Sequence, residues 1–228
     1  MDKTWQKQSF YTLLSGLILI FLFLPALPFP DKSVRIIFAL FSVPLLFLCG
    51  TFLPCYLACG KNFLRELGLK VPGKADFLPV LSAIPLFFLF AAMTFLARSA
   101  GLPVSVQGLI GYAENCSPVM FFLILLTAGF LAPVSEEIAY RRTVYGFLRE
   151  SFPGKDRWIA VFTSFLFAVS HGLIWQSISL FLLGLYLQWH QQKGSTTRAI
   201  LIHAVFNWCS LTVLILIRAG ILTGSALN

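Results

Sequence analysis

The feature that most constrains the fold is a series of apolar runs, each about as long as a membrane-spanning helix. A helix needs about 20 apolar residues to cross the hydrocarbon core of a bilayer. The chain has 228 residues, of which 58% are apolar and 11% charged, whereas soluble domains are about 25% charged. We therefore predict an all-α polytopic membrane protein, a bundle of about seven transmembrane helices. The runs lie at roughly 10–29, 34–59, 77–97, 118–138, 158–174, 176–192 and 199–218.

The distribution of positive charge predicts how the bundle is oriented. If the N-terminus and the loops after the second, fourth and sixth runs lie on one side, that side holds most of the 17 Lys and Arg residues. Cytoplasmic loops carry such an excess, so we expect a multi-pass plasma-membrane protein, of bacterial type, with a cytoplasmic N-terminus. The formal charge of +8 then belongs to loops that face lipid headgroups. We expect membrane lipid as a partner and no nucleic acid.

Two adjacent carboxylates, Glu136 and Glu137, lie in the cytoplasmic part of the fourth run. A charged side chain at the bilayer centre costs at least about 2.5–3.5 kcal/mol, so an ionisable residue at this depth indicates function by default. Residues four apart share a helix face, so Glu137 is expected to pair with Arg141. Four residues after Glu136 the chain has Tyr140 instead of a cation. The Glu136 carboxylate is therefore available for a different role.

Three more polar residues at bilayer depth extend this set. His171 lies in the fifth run, and His203 and Asn207, four apart, share one face of the seventh. A carboxylate and an imidazole in a pocket of low dielectric can take a proton from water. A second imidazole and a carboxamide can donate hydrogen bonds to a developing oxyanion. Together with Glu136, these residues predict hydrolysis of an acyl bond by activated water, without a covalent nucleophile.

The same residues carry a family resemblance. EEIAYR (136–141), FAVSH (167–171) and HAVFN (203–207) resemble the EExxxR, FxxxH and HxxxN motifs of a family of membrane-embedded proteases, the CPBP family. That family includes the CAAX prenyl endopeptidases and the bacterial bacteriocin-processing and abortive-infection proteins. The resemblance implies that residues 118–228 form a CAAX-protease-like catalytic core of helices four to seven. Residues 1–117 would add helices one to three and their connecting loops to the same membrane domain.

The resemblance also implies a role for each matched residue. Glu136 would activate the hydrolytic water together with His171, and His203 and Asn207 would form the oxyanion site. Glu137 and its paired arginine would hold the helix and orient the first carboxylate. The expected reaction is endoproteolysis of a membrane-associated peptide or a lipidated protein, and no cofactor is expected.

Two features of this chain bear on that expectation. Many relatives have Gly after the motif arginine, where this chain has Arg142, a change that would alter substrate entry. At about 1.5 Å of rise per residue, Glu136 and His203 lie near the cytoplasmic side and His171 lies deeper. The fifth helix must therefore begin deep, tilt or kink for the three side chains to meet. We expect them at the floor of a conical, water-reachable cavity that faces the cytoplasm.

Two other interpretations of these residues stay open. Glu136, His171 and His203 could bind zinc and leave a fourth position for water, which would make the protein a zinc-dependent intramembrane metalloprotease, although the chain contains no HExxH motif. The protein could instead be a non-catalytic bacteriocin-immunity protein or a transporter, since intramembrane Glu and His also form proton relays. Transporters often show paired repeats or broken helices, and neither is evident here.

Overall fold

The computed structural model describes residues 4–23, 32–101, 115–171 and 174–222, and this part of the chain contains helices and no strand. This confirms the prediction of an all-α protein. A single turn of 3₁₀ helix, Gly60–Asn62, joins α2 to α3. The helices are α1 Thr4–Phe23, α2 Lys32–Cys59, α3 Phe63–Glu66, α4 Lys74–Leu81, α5 Ala83–Ser99, α6 Pro118–Ser151, α7 Asp156–Val169, α8 Ile174–Lys193 and α9 Thr196–Arg218.

Four helical stretches in the described residues are long and apolar enough to cross a membrane. Their outer surfaces carry exposed large apolar side chains such as Leu57, Phe77 and Val119, as expected for helices that face lipid. The protein is therefore a polytopic membrane protein. The four stretches are Val34–Glu66, Lys74–Ser99, Pro118–Ser151 and Thr196–Arg218.

The other helices of the described bundle are not among these four stretches. α1 and α8 are each 20 residues long, and the predicted first span continues to residue 29, whereas residues 24–29 lie outside the described residues. α7 has 14 residues, or about 21 Å of helix, which is shorter than the hydrocarbon core of about 30 Å. The span predicted at 158–174 is therefore not a complete crossing.

The end of α7 resolves the difference in depth predicted from the sequence. α7 ends at Val169, where the Ser170 hydroxyl donates to the Phe167 carbonyl oxygen at 2.8 Å. Because this helix is only about two-thirds of a span, His171, the second residue after its end, lies inside the bundle. The tight turn predicted near Trp175 lies earlier in the chain, since α8 begins at Ile174, and residues 172 and 173 are outside the described residues.

α6 is the central helix of the described bundle. It packs against α1, α2, α7 and α9, while α5 packs against α9 and α7 against α8. Two segments of α6, Thr127–Leu131 and Glu137–Val144, are wound as π-helix. π-Segments within α-helices are rare and occur mostly at functional sites, because each one adds a residue to the turn and redirects the side chains around it.

Candidate active site

The second π-segment of α6 places Glu137 and Arg141 in the interior of the bundle. Glu137 is fully buried and Arg141 is 1% exposed. Arg141 Nε donates to Glu137 Oε2 at 3.2 Å, as the spacing of four residues in the sequence predicts. Since an unpaired buried charge is very unfavourable, each side chain needs the other at this depth.

The second oxygen of Glu137 contacts His203 on α9. His203 Nδ1 lies 3.0 Å from Glu137 Oε1. An ionised carboxylate can only accept hydrogen bonds, so Nδ1 is the nitrogen that carries the proton. This leaves Nε2 of His203 to face the neighbouring carboxylate, Glu136. Both oxygens of Glu137 are thus occupied, one by the arginine and the other by the imidazole.

Glu136 lies between the two imidazoles. Its Oε2 atom is 3.8 Å from His171 Nε2 and 3.9 Å from His203 Nε2. This oxygen is buried and has no hydrogen-bond partner among the described residues. The separations exceed a direct hydrogen bond, but they allow a single water molecule to contact the carboxylate and an imidazole together.

His171 is held by the backbone at the end of α7. Its Nδ1 atom lies 2.7 Å from the Phe167 carbonyl oxygen, which can only accept, so Nδ1 donates here too. The Phe167 ring is fully buried. Its centroid lies 4.8 Å from that of His171, 5.7 Å from that of His203 and 4.9 Å from Arg141 Cζ. Phe167 is therefore the packing surface that sets the positions of both imidazoles.

Asn207 lies one turn after His203 on α9. Its Nδ2 atom donates to the carbonyl oxygen of Ala128 at 2.8 Å. Ala128 belongs to the first π-segment of α6, where the altered winding changes which backbone carbonyls are paired within the helix. A carboxamide nitrogen has two hydrogens, so the second N–H of Asn207 is available to a ligand.

Glu136, His171, His203 and Asn207 line one cavity of about 400 Å³. From Glu136, His171 and His203 the cavity extends along α9 as far as Ile217, between apolar side chains of α2, α6 and α9. On the orientation predicted from the charges, that direction leads away from the cytoplasm, which differs from the expected cytoplasm-facing cavity. The physical reason is that the Glu137–Arg141 pair and the Phe167 ring fill the space on the other side.

Comparison with known families gives a match to this part of the chain. Residues 118–209 match the family model described as Type II CAAX prenyl endopeptidase Rce1-like. The match covers less than half of the chain, and it supports an assignment of this segment to the CAAX protease family. No curated protein and no solved structure gives a significant match to the chain.

The matched segment contains all the residues that the sequence motifs singled out. The structure brings Nε2 of His171 and Nε2 of His203 each within 4 Å of Glu136 Oε2. Asn207 lines the same cavity, and Glu137 is joined directly to His203.

Two features of this candidate site were not predicted from the sequence. The contact between Glu137 and His203 joins residues 66 positions apart, and no local pattern indicates it. The Ala128 carbonyl becomes the partner of Asn207 because α6 is wound as a π-helix at that point. A Gly next to a half-buried ring is a related signal: a Cβ at Gly129 would lie 2.8 Å from Trp208, so α6 and α9 approach closely there.

The geometry also bears on the zinc hypothesis. Among the described residues, no group of three or more His, Cys, Asp and Glu side chains is placed to hold a metal ion. The two separations of 3.8 and 3.9 Å at Glu136 are also wider than ligand atoms around a tetrahedral zinc ion, where bonds of about 2.0–2.2 Å hold the ligands closer together. Zinc binding by these residues stays a prediction to be tested by metal analysis.

Proposed function

We propose that the protein is an intramembrane endopeptidase in which Glu136 and His171 activate water. The observation that carries this proposal is the position of Glu136 Oε2, a buried oxygen without a hydrogen-bond partner among the described residues, within 4 Å of two imidazole Nε2 atoms. A carboxylate kept ready for a proton next to an imidazole is the arrangement that general-base catalysis needs.

In the first step, a water molecule donates one hydrogen bond to Glu136 Oε2 and one to His171 Nε2. The water oxygen attacks the carbonyl carbon of the scissile peptide bond, and its proton passes to Glu136. The carbonyl oxygen becomes an oxyanion in the tetrahedral intermediate. The intermediate then breaks at the C–N bond, and the proton held by Glu136 passes to the leaving amine, so that the carboxylate is regenerated.

The two histidines differ in the group that holds Nδ1, and this difference supports separate roles. His171 donates to a neutral backbone carbonyl, so its neutral form presents an acceptor at Nε2, suited to water. His203 donates from Nδ1 to the carboxylate of Glu137, and in the proposed mechanism its Nε2–H donates to the oxyanion, together with the second N–H of Asn207.

The proposed substrate is a peptide or a lipidated protein embedded in the membrane. The apolar walls of the cavity of about 400 Å³ suit an aliphatic segment or chain that reaches the site from within the bilayer. Prenylated tails and bacteriocin leaders both meet this description. We place the protein in a bacterial plasma membrane with its N-terminus in the cytoplasm, because of the distribution of its Lys and Arg residues.

The proposal is tested by comparing peptides in cells that carry the wild-type protein, Glu136→Gln or no protein. Uncut membrane-associated peptides should accumulate to the same extent in the last two, and His171→Ala should behave like Glu136→Gln. The matched control is Glu150→Gln, the same chemical change at an exposed position of α6, which should keep wild-type cleavage. Wild-type cleavage by Glu136→Gln would end the protease assignment.

The same variants separate catalysis from non-catalytic immunity. If Glu136→Gln protects cells from a bacteriocin as well as the wild-type protein does, while no peptide depends on the chain for cleavage, the immunity interpretation is the correct one. If both Glu136→Gln and His171→Ala fail to protect cells from the bacteriocin, the result supports the hydrolase.

A further inference from the structure

A second cavity, separate from the one with the catalytic side chains, lies at the other end of the bundle. This basin has a volume of about 870 Å³ and is bordered by the segment that follows α3, the last turns of α6 and α8 and the first turn of α9. Among the described residues that line it, the cations outnumber the carboxylates. The cations are Arg65, Lys70, Arg141, Arg142 and Arg149, and the carboxylates are Glu66, Glu150 and Asp156.

Several buried polar atoms that line the basin have no hydrogen-bond partner among the described residues. Nη1 and Nη2 of Arg141, Nε of Arg142 and Oγ1 of Thr196 all belong to this group. Arg141 is 1% exposed and Thr196 is fully buried. Gln6 Oε1, an acceptor at the same basin, is unpaired as well. Buried polar groups are nearly always hydrogen-bonded in native proteins, so the three guanidinium nitrogens, which can only donate, indicate an absent acceptor.

The nearby carboxylates are engaged elsewhere or do not satisfy these donors. Asp156 accepts a hydrogen bond from Arg149 at 2.7 Å in an exposed ion pair. Glu66 interacts electrostatically with Arg142, yet Arg142 Nε keeps no hydrogen-bond partner. Glu137 accepts a hydrogen bond only from the Nε atom of Arg141. Both terminal nitrogens of this arginine therefore have no hydrogen-bond partner among the described residues.

The start of α9 adds a favourable field for an anion. Ser195 caps this helix of 23 residues by accepting from Arg198 N at 3.1 Å, and Ser195 and Thr196 both line the basin. The first N–H groups of a helix have no partner within the helix, and the helix dipole places partial positive charge there. Together with two guanidinium groups, this arrangement is typical of a phosphate site.

We infer that the basin binds the phosphate of an anionic lipid headgroup through Arg141, Arg142 and the start of α9. The depth of the basin favours a lipid as the source of the phosphate. Three of the spanning helices end at its border: one at Glu66, one at Ser151 and one at Thr196. The ends of spanning helices lie at the level of the headgroups.

The test is a thermal-shift titration of the purified full chain in a neutral detergent with phosphatidylglycerol, phosphatidylcholine or inorganic phosphate. Phosphatidylglycerol should raise the melting temperature in a saturable manner, since a ligand that binds the folded state stabilises it. Phosphatidylcholine, whose headgroup is neutral overall, should raise it much less. An equal, saturable shift with inorganic phosphate would assign the site to free phosphate and overturn the lipid. Equal shifts with the two lipids would overturn the site.

Variants locate the effect in the basin. Arg142→Gln should weaken the apparent affinity for phosphatidylglycerol at least about tenfold, as loss of a hydrogen bond to a charged group does. Arg157→Gln removes an exposed cation of α7 that does not line the basin and should keep the wild-type affinity. An equal loss in both variants would show diffuse charge attraction and refute the site.

A second variant covers the case in which Arg142→Gln does not fold. Arg65→Gln combined with Lys70→Gln changes two exposed cations at the rim and should weaken the affinity for phosphatidylglycerol several-fold. An unchanged affinity in this double variant would contradict the inference. Because the readout is binding, the result does not depend on whether the protein cleaves peptides.

Discussion

Glu136 and Glu137 are neighbours in the chain, but the structure predicts opposite consequences for the same substitution. Glu137 is fully buried and accepts hydrogen bonds from Arg141 Nε and His203 Nδ1 at 3.2 and 3.0 Å. Glu136 Oε2 is buried without a hydrogen-bond partner among the described residues. Replacing each in turn by Gln keeps the shape of the side chain and removes one negative charge.

The expected magnitudes follow from these contacts. Glu137→Gln breaks a buried ion pair and leaves the Arg141 charge uncompensated, which costs about 3–5 kcal/mol in the free energy of unfolding. For a chain of this length that corresponds to a melting temperature lower by about 6–20 °C. Glu136→Gln removes a charge that makes no hydrogen bond through Oε2, so we expect a change below about 1 kcal/mol.

The measurement is the melting temperature of both variants in detergent, followed by tryptophan fluorescence and paired with a cleavage assay. Glu136→Gln should be folded, close to the wild-type melting temperature and inactive. Glu137→Gln should melt well below the wild type, and Glu150→Gln, at an exposed position, should match the wild type in both assays. Equal destabilisation at 136 and 137 would refute the assignment of different environments to the two carboxylates.

Three further predictions concern the surroundings of the site. Asn207→Ala should lower the rate of the chemical step by about 10²-fold, as loss of one oxyanion donor does; single-turnover cleavage measures it, and an unchanged rate would remove Asn207 from the oxyanion site. Phe167→Ala should lower the free energy of unfolding by about 3–5 kcal/mol, because the fully buried ring packs against both imidazoles; a melting temperature equal to that of Phe165→Ala, which truncates an exposed ring, would contradict this packing. Extensive chelation should leave the cleavage rate unchanged, and elemental analysis should find zinc well below one atom per chain; stoichiometric zinc lost together with activity would favour the metalloprotease.

Much of the site could be predicted from the sequence because its key signals are local. Glu and Arg four residues apart on one helix share a face, and the pair at 137 and 141 forms as that spacing requires. Phe167 and His171 share a face for the same reason, and their rings are in contact. The rarity of ionisable residues in apolar runs was enough to select the three side chains that meet around Glu136 Oε2.

The direction of the cavity and the short length of α7 could not be predicted in this way. A run of apolar residues at 158–174 has the composition of a span, but α7 ends at Val169, because the chain turns back inside the bundle. The space beside Glu136 on the side of the basin is filled by Arg141 and Phe167, and the open volume therefore extends along α9 instead. Both outcomes depend on which side chains from distant helices occupy the same space.

The sequence by itself determined that the chain is a membrane protein built of helices, since hydropathy and helical periodicity are properties of consecutive residues. It also determined which polar side chains stand out at bilayer depth. Only the tertiary structure decided what each one contacts: that Glu137 holds His203, that Ala128 holds Asn207, and that Arg141 reaches the basin with two unpaired nitrogens. The physical reason is that these contacts join separate helices, and their geometry depends on π-helical turns and close packing that no local pattern in the chain encodes.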